Sequence, residues 1–382
     1  MQLETNAAAP ASLFTVPRGR LFCMVTRGSA DMAKAAGQLI ARGYAVVDVC
    51  SPERAAELES EVWTDLEALG TGIDRNDPKT WTNDRWPQTS HGLLQNQQVG
   101  LWEGTCLARL ETEETWWQLL GQERVISSFD AIAVCRPDSQ ERCYKAELRN
   151  QKEKGEGELL SSWLHTDQAK AKTQCLHHIQ GAFAITDLGP AEQRTQLVVP
   201  KSPLETMQSF RDRFVAAFPP EPVAKGKFNP EREEWVKHSD AERAWLLREG
   251  EIVTPELKAG QMLLWDSGVP HASIPGPVAE GQKRKVRIST FVSAVPIAGV
   301  SPHDLRERKK MLEQGDTSGH RVTAEGKTKY LQCKFAKVGR SYGKKLPTYS
   351  AARVVSGFKR AHEEDDDSVA AKTARFCGGY GF

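Results

Sequence analysis

No apolar run in this chain approaches the roughly 20 residues that a membrane-spanning helix needs, and no internal repeat is visible. The eight cysteines include no CxxC pair and no even framework spacing. That excludes a disulfide-stapled scaffold and fits a reducing compartment, with most thiols serving as small buried side chains. Net charge is nearly absent, +1 over 382 residues, so a nucleic-acid or membrane partner would have to use a local patch. Residues 1–23 lack the continuous apolar core of a secretory signal. Thr5–Ala30 holds no acid and carries Arg18, Arg20 and Arg27, a transit-peptide trait. We read residues 1–28 as an N-terminal arm and expect a cytoplasmic protein.

What is present is the composition of a globular chain, 39% hydrophobic and 26% charged, long enough to bury one large core or two ordinary ones. SADMAKAAGQLIARG reads as a helix leading into the strand YAVVDV. SPERAAELESEVWTDLEALG is the clearest helix: Ser51 caps it, Pro52 takes its first position, Gly70 follows its last turn, and Leu58, Val62, Leu66 and Leu69 form one apolar stripe. Residues 71–110 read as ordered loops, a short helix falls at ETEETWWQLLG, and one strand at RVISSFDAIAVC. Residues 138–158 read as a mobile charged loop. Strands follow at CLHHIQGAFAITD, TQLVVP, GQMLLWDS and KVRISTFVSAV, with an insertion at 203–250. Helices at the front and many short strands behind predict an α+β domain over residues 29–300, built on a β-sandwich or jelly roll. Residues 301–382 read as a C-terminal extension, basic and then acidic.

The chemistry concentrates in SSWLHTDQ. On a strand, side chains alternate with period two, so Trp163, His165 and Asp167 share a face. A lone HxD arises often by chance. It gains weight from KAGQMLLWDSGVPHAS, where a strand ends, Gly and Pro impose a turn, and His271 follows. Two histidines and one carboxylate make the facial triad that holds non-haem Fe(II) with positions left open. Further on, KVRIST places Arg287 and Ser289 on one strand face, a guanidinium and a hydroxyl suited to forking a carboxylate.

With these motifs the chain resembles the phytanoyl-CoA dioxygenase-like branch of the Fe(II)/2-oxoglutarate-dependent oxygenases, over roughly residues 30–300. The likeness rests on WLHTDQ, on IQGAFAITDLGP followed by LVVPKS, on LLWDSGVPHAS and on RISTFVSAVP. It implies a double-stranded β-helix (jelly-roll, cupin-like) core with flanking N-terminal helices, and Fe(II), 2-oxoglutarate and O2 as cofactors. His165, Asp167 and His271 would ligate iron. Arg287 and Ser289 would bind the distal carboxylate of 2-oxoglutarate, Ser273 would also touch it, and Phe183 would form an aromatic wall. Arg284 competes with Arg287, because Arg287 lies further from His271 than is usual in the family. His91, Trp163 and Gln168 are further pocket candidates, while Asp266 reads as a turn residue or a hydrogen-bond partner of His271. His177 and His178 alternate across a strand and read as pocket lining or surface.

The implied activity is oxidation of a C–H bond, with release of succinate and CO2, on a small-molecule substrate. Two alternatives stay open. One is a nucleic-acid-modifying oxygenase, using residues 327–360, which hold ten Lys or Arg, no Asp or Glu, and interleaved aromatics. The other is an inactive jelly-roll binding module.

Overall fold

The computed structural model describes residues 29–87, 92–95, 98–122, 124–154, 160–169, 174–220, 236–314 and 317–323. His91, the arm at 1–28 and the basic stretch at 327–360 lie outside the described residues.

Capping chemistry sets the first elements. Ser29 accepts from the Met32 N–H and starts helix α1 (Ala30–Arg42), and Gly43, at φ 76°, ends it in the left-handed conformation that glycine adopts without strain. Strand β1 (Tyr44–Asp48) follows. Ser51 accepts from the Arg54 N–H at the head of α2 (Pro52–Glu67). After the short β2 (Leu93–Leu94) come α3 (Glu103–Glu111) and α4 (Glu113–Leu120). The expected loop at 71–110 is thus corrected over α3. Its N-cap residue, Trp102, offers no capping side chain, and the Gly104 N–H is taken instead by Asp65 of α2 (2.8 Å), which hid α3 from sequence rules. Gly104 is required where it crosses α2, since a Cβ there would sit 2.6 Å from the Val62 nitrogen.

The single strand expected at RVISSFDAIAVC is two, β3 (Val125–Ser127) and β4 (Ile132–Cys135). Between them the Phe129 N–H donates to Ser318 Oγ and its carbonyl accepts from the Ser318 N–H, far along the chain, which takes Phe129 out of the ladder. Residues 138–158 are also corrected, because Pro137–Lys154 is a helix, α5. The remaining elements are β5 (His165–Thr166), β6 (Ile179–Ala184), β7 (Gln193–Pro200), α6 (Met207–Ala217), β8 (Val236–Lys237), α7 (Asp240–Glu249), β9 (Gly250–Val253), β10 (Gln261–Asp266), β11 (His271–Pro275), β12 (Arg287–Pro296) and α8 (Pro302–Gln314).

The strands form two antiparallel sheets. One has seven strands in the order β1-β10-β6-β12-β4-β2, with β3 on the far end of β12; the other has five, β8-β5-β11-β7-β9. Alternation sorts every long strand of the first sheet. Val47, Ile132, Val134, Phe183, Met262, Leu264, Ile288 and Val292 point outward into a core shared with Leu39, Leu58, Leu66 and Trp116 of the N-terminal helices. Ala182, Ala184, Leu263 and Trp265 point inward and pack with Leu197, Val199 and Ala272 of the second sheet, while Phe210, Phe214 and Trp245 cover that sheet from α6 and α7. The architecture is a mixed helix and antiparallel-sheet fold. Among the described residues no helix is long and apolar enough to cross a membrane.

The chain does not leave this domain at 300, as its composition suggested. Arg308 of α8 is fully buried and donates to the carbonyls of Ser127 and Val322. The strap 317–321 then ties down: Gly100 N–H donates to Thr317 Oγ1 (3.3 Å), and Arg321 donates to the Asp167 carbonyl (2.9 Å).

Candidate metal centre and cavity

Short strand β5 pairs with β11 in the register His165↔His271, so the two imidazoles face each other across one rung, ring centroids 4.4 Å apart. Each ring is fixed by a backbone carbonyl two residues before it. His165 Nδ1 donates to Trp163 O and His271 Nδ1 to Val269 O, both at 2.9 Å. That sets the tautomer and leaves both Nε2 lone pairs turned to the same side. Asp167 lies between them, its Oδ2 3.3 Å from His271 Nε2 and its Oδ1 3.7 Å from His165 Nε2. Gln180, on the inward face of β6, donates to Asp167 Oδ2 at 2.8 Å. Burial raises the Asp167 carboxyl, and the positive charge that His320, His271 and His165 carry when protonated outweighs it and pulls Asp167 well below the usual carboxylate range. Burial and then the His271 imidazole push His165 down to about 4.

The turn between β10 and β11 aims His271. Asp266 accepts from the N–H groups of Gly268 (2.8 Å) and Leu176 (2.6 Å). It is a turn residue, and its carboxylate braces two loops rather than the imidazole. The donor set is two neutral imidazole nitrogens and one ionised carboxylate, with ligand atoms within 4.8 Å of one another. Among the described residues no other cluster of three such donors occurs. This composition fits Fe(II) in a facial arrangement with positions left open.

The three side chains line a cavity of about 350 Å³ between the two sheets. On β12 the inward residues are Arg287, Ser289, Phe291 and Ser293, by alternation with outward Ile288 and Val292; Phe291 and Ser293 line the cavity, while Arg287 and Ser289 lie further along the same face, outside its lining. Arg287 is fully buried. None of its three guanidinium nitrogens has a hydrogen-bond partner, and neither has Ser289 Oγ. Its neighbours are weak partners only, the Cys135 sulfur, which is a poor acceptor, and the Phe291 ring 6.0 Å from Cζ. Arg284 is also buried and leaves Nη2 without a hydrogen bond, but it is paired: it donates to Glu141 (2.9 Å) and to the Ala191 carbonyl and stacks 5.3 Å over Tyr144.

Ser273 and Trp163 line the cavity, as the sequence suggests. Phe183 does not. It has the outward parity of β6 and belongs to the helix-side core, which corrects its placement as a pocket wall. Gln168 is a bracket, accepting from Ser267 Oγ (3.0 Å) and donating to Gln174 O (2.8 Å). His178 is buried behind the site and donates from Nε2 to the His320 carbonyl at 3.1 Å; it does not line the cavity.

Sequence reasoning missed several lining residues. Gln180 could have been found from its inward parity beside an apolar strand. Asp130, Gly319 and His320 also line the cavity, the last two from the strap. Helix α5 presents Ser139, Cys143 and Glu147 to it at i, i+4, i+8 spacing.

No protein-family model matches the chain. No curated protein matches it either. Solved structures similar to it include AviO1 from Streptomyces viridochromogenes Tue57, at 14% identity over 71% of this chain and 97% of that one, TM-score 0.40. Another is the epimerase SnoN in complex with Fe3+, alpha ketoglutarate and nogalamycin RO, at 14% identity over 70% and 84%, TM-score 0.38. A third is EctD from S. alaskensis with 2-oxoglutarate and 5-hydroxyectoine, at 14% identity over 72% and 80%, TM-score 0.41. At these scores the likeness is distant, and the reading of the site rests on its own geometry.

Proposed function

We propose that the chain is an Fe(II)- and 2-oxoglutarate-dependent oxygenase of the phytanoyl-CoA dioxygenase-like kind, with a double-stranded β-helix core over residues 29–323. It would oxidise a C–H bond of a small-molecule substrate while 2-oxoglutarate leaves as succinate and CO2, succinate keeping one atom of O2 and the other going to the hydroxylated product or, in another oxidation, to water. The observation that carries this reading is the Arg287 guanidinium, buried without a hydrogen-bond partner on the inward face that also lines the triad's cavity. An unpaired buried charge costs several kcal/mol, a cost that a dicarboxylate co-substrate would offset through a bidentate pair.

In this reading His165, Asp167 and His271 hold the iron. Bound iron with 2-oxoglutarate and O2 supplies the oxidising power for C–H cleavage. The chain's own residues do the positioning. The Trp163 and Val269 carbonyls fix the imidazoles, and Gln180 orients Asp167. Arg287 and Ser289 grip the far carboxylate, with Ser273 on the opposite sheet. The two sheets and the strap exclude bulk water from the reacting groups. An inactive binding module has no use for this convergence of metal donors and an unpartnered cation.

The test is binding before turnover. Purified protein should take one Fe(II) per chain by metal analysis, bind 2-oxoglutarate only when metal is present, and release succinate when supplied with substrate and O2. Metal-independent binding of 2-oxoglutarate, or equal iron in wild type and Asp167→Ala, would sink it.

A further inference from the structure

Further along the same sheet from the proposed co-substrate grip, past Ser289 on β12, lie buried polar acceptors that the oxygenase reading leaves without a donor. Asp130 is 6% exposed and lines the cavity. One carboxylate oxygen accepts the Ala131 N–H at 2.6 Å; the other accepts no hydrogen bond from the described residues. The one cation acting on it, Arg109, turns its terminal nitrogens to the carbonyls of Gly100 (2.9 Å) and Asp130 (3.2 Å). Burial pushes the carboxyl up to about 7, against the pull of the Ala131 N–H and Arg109, and the Asp167 charge adds to the rise.

Gln180 repeats the pattern. Its amide nitrogen is committed to Asp167, which fixes the side chain, and its carbonyl oxygen is buried without a partner. The ladder places the two acceptors. Ala131 O accepts from Phe291 N–H on one edge of β12, and Gln180 pairs with Ser293 on the other. The backbones at Ala131, next to Asp130, and at Gln180 therefore flank β12 about two strand spacings apart, roughly 10 Å. Among the described residues that line the cavity there is no Lys or Arg, while Asp130 and Glu147 are present besides Asp167. An anionic substrate would meet no counter-charge there.

We propose that the substrate bears an amine, received as a cation by the Asp130 carboxylate, while the Gln180 carbonyl accepts a second N–H or O–H beside the metal ligands. This deepens the oxygenase reading and rests on it. The cation supplies the donor and charge that Asp130 lacks. The Gln180 contact would hold the opposite end of the molecule near Asp167, and the carbon to be oxidised would lie between.

The test uses the full chain loaded with Mn(II) and 2-oxoglutarate, screened by thermal shift against matched small molecules that present the same skeleton as amine, alcohol or carboxylate. Hits are then measured by calorimetry. Amines should dominate the hits and bind at least tenfold more tightly than their alcohols. Asp130→Asn, which keeps the acceptor for Ala131, should abolish that preference. Stabilisation by Mn(II) with 2-oxoglutarate alone, read in the same plates for both proteins, tests the underlying oxygenase reading separately. The amine proposal is overturned by hits that are neutral or anionic, by a library without a stabilising amine, or by a preference that survives Asp130→Asn. The amine-against-alcohol comparison in wild type needs no variant, so it stands even if that variant misfolds.

Discussion

The two faces of the seven-stranded sheet are made by the same strands and are filled differently, although Thr290 Oγ1 on the outer side also lacks a hydrogen bond. Outward, Ile132, Phe183, Met262, Leu264 and Ile288 close against the helices in an apolar layer. Inward, Gln180, Arg287 and Ser289 keep buried polar atoms that find no partner. Burying apolar area stabilises by about 25 cal/mol per Å², whereas an orphaned buried polar group costs about 1–3 kcal/mol and a charged one more. The outer face holds the fold together, and on the proposed reading a bound ligand offsets the cost of the inner face.

Substitutions on the two faces should separate stability from binding. The largest effect falls on the metal. Asp167→Ala should reduce Fe(II) affinity by more than the roughly 10–100-fold that loss of a ligand-orienting contact costs, and Gln180→Leu should fall within that range; iron titration ranks the two. Next comes Arg287→Met. It should weaken 2-oxoglutarate binding by about 3–5 kcal/mol, the cost of leaving one member of a buried pair alone. Without ligand its Tm should stay level or rise, because a partnerless buried charge has been removed. A lowered Tm in the ligand-free state would show that Arg287 has a structural partner. Phe183→Ala should do the reverse, losing about 3–5 kcal/mol of stability in a denaturant titration while the folded fraction keeps its affinity for 2-oxoglutarate. Smallest is Arg284→Ala, where loss of the Glu141 and Ala191 contacts should cost about 1–2 kcal/mol of stability and change co-substrate affinity less than threefold. A larger loss of affinity at Arg284 than at Arg287 would reverse their assignments.

Much of this division is legible in the sequence wherever period-two alternation survives. YAVVDV, QMLLWD and RISTFVSAVP read as strands because a buried sheet face demands β-branched and apolar residues at alternate positions. The convergence of His165, Asp167 and His271 is legible too, since both motifs sit at strand ends beside a turn. The same alternation, counted from Gln180, puts Phe183 on the outer face; only the family likeness suggested otherwise. What stays hidden depends on polar contacts made at a distance. Helix α5 lacks an apolar stripe and docks through hydrogen bonds instead. Gln140 donates to the carbonyls of Cys135 (3.0 Å) and Lys285 (2.8 Å), and Glu147 accepts from the Ser162 N–H (2.9 Å) and hydroxyl (3.0 Å). A hydropathy pattern cannot register such a face. Asp130 and His320 owe their places to the exchange between Phe129 and Ser318, residues 189 apart in sequence.

That exchange also bears on the order of events during synthesis. Domains begin to fold from the N-terminus as the chain emerges, and both histidine ligands and Arg287 precede the strap by at least thirty positions. The nascent chain can therefore assemble both sheets while the site still lacks its last wall. Only when Gly319, His320 and Arg321 arrive does Asp167 gain a donor to its carbonyl and the cavity its closing side. A fragment ending at residue 300 would keep every metal donor and still present them to open water.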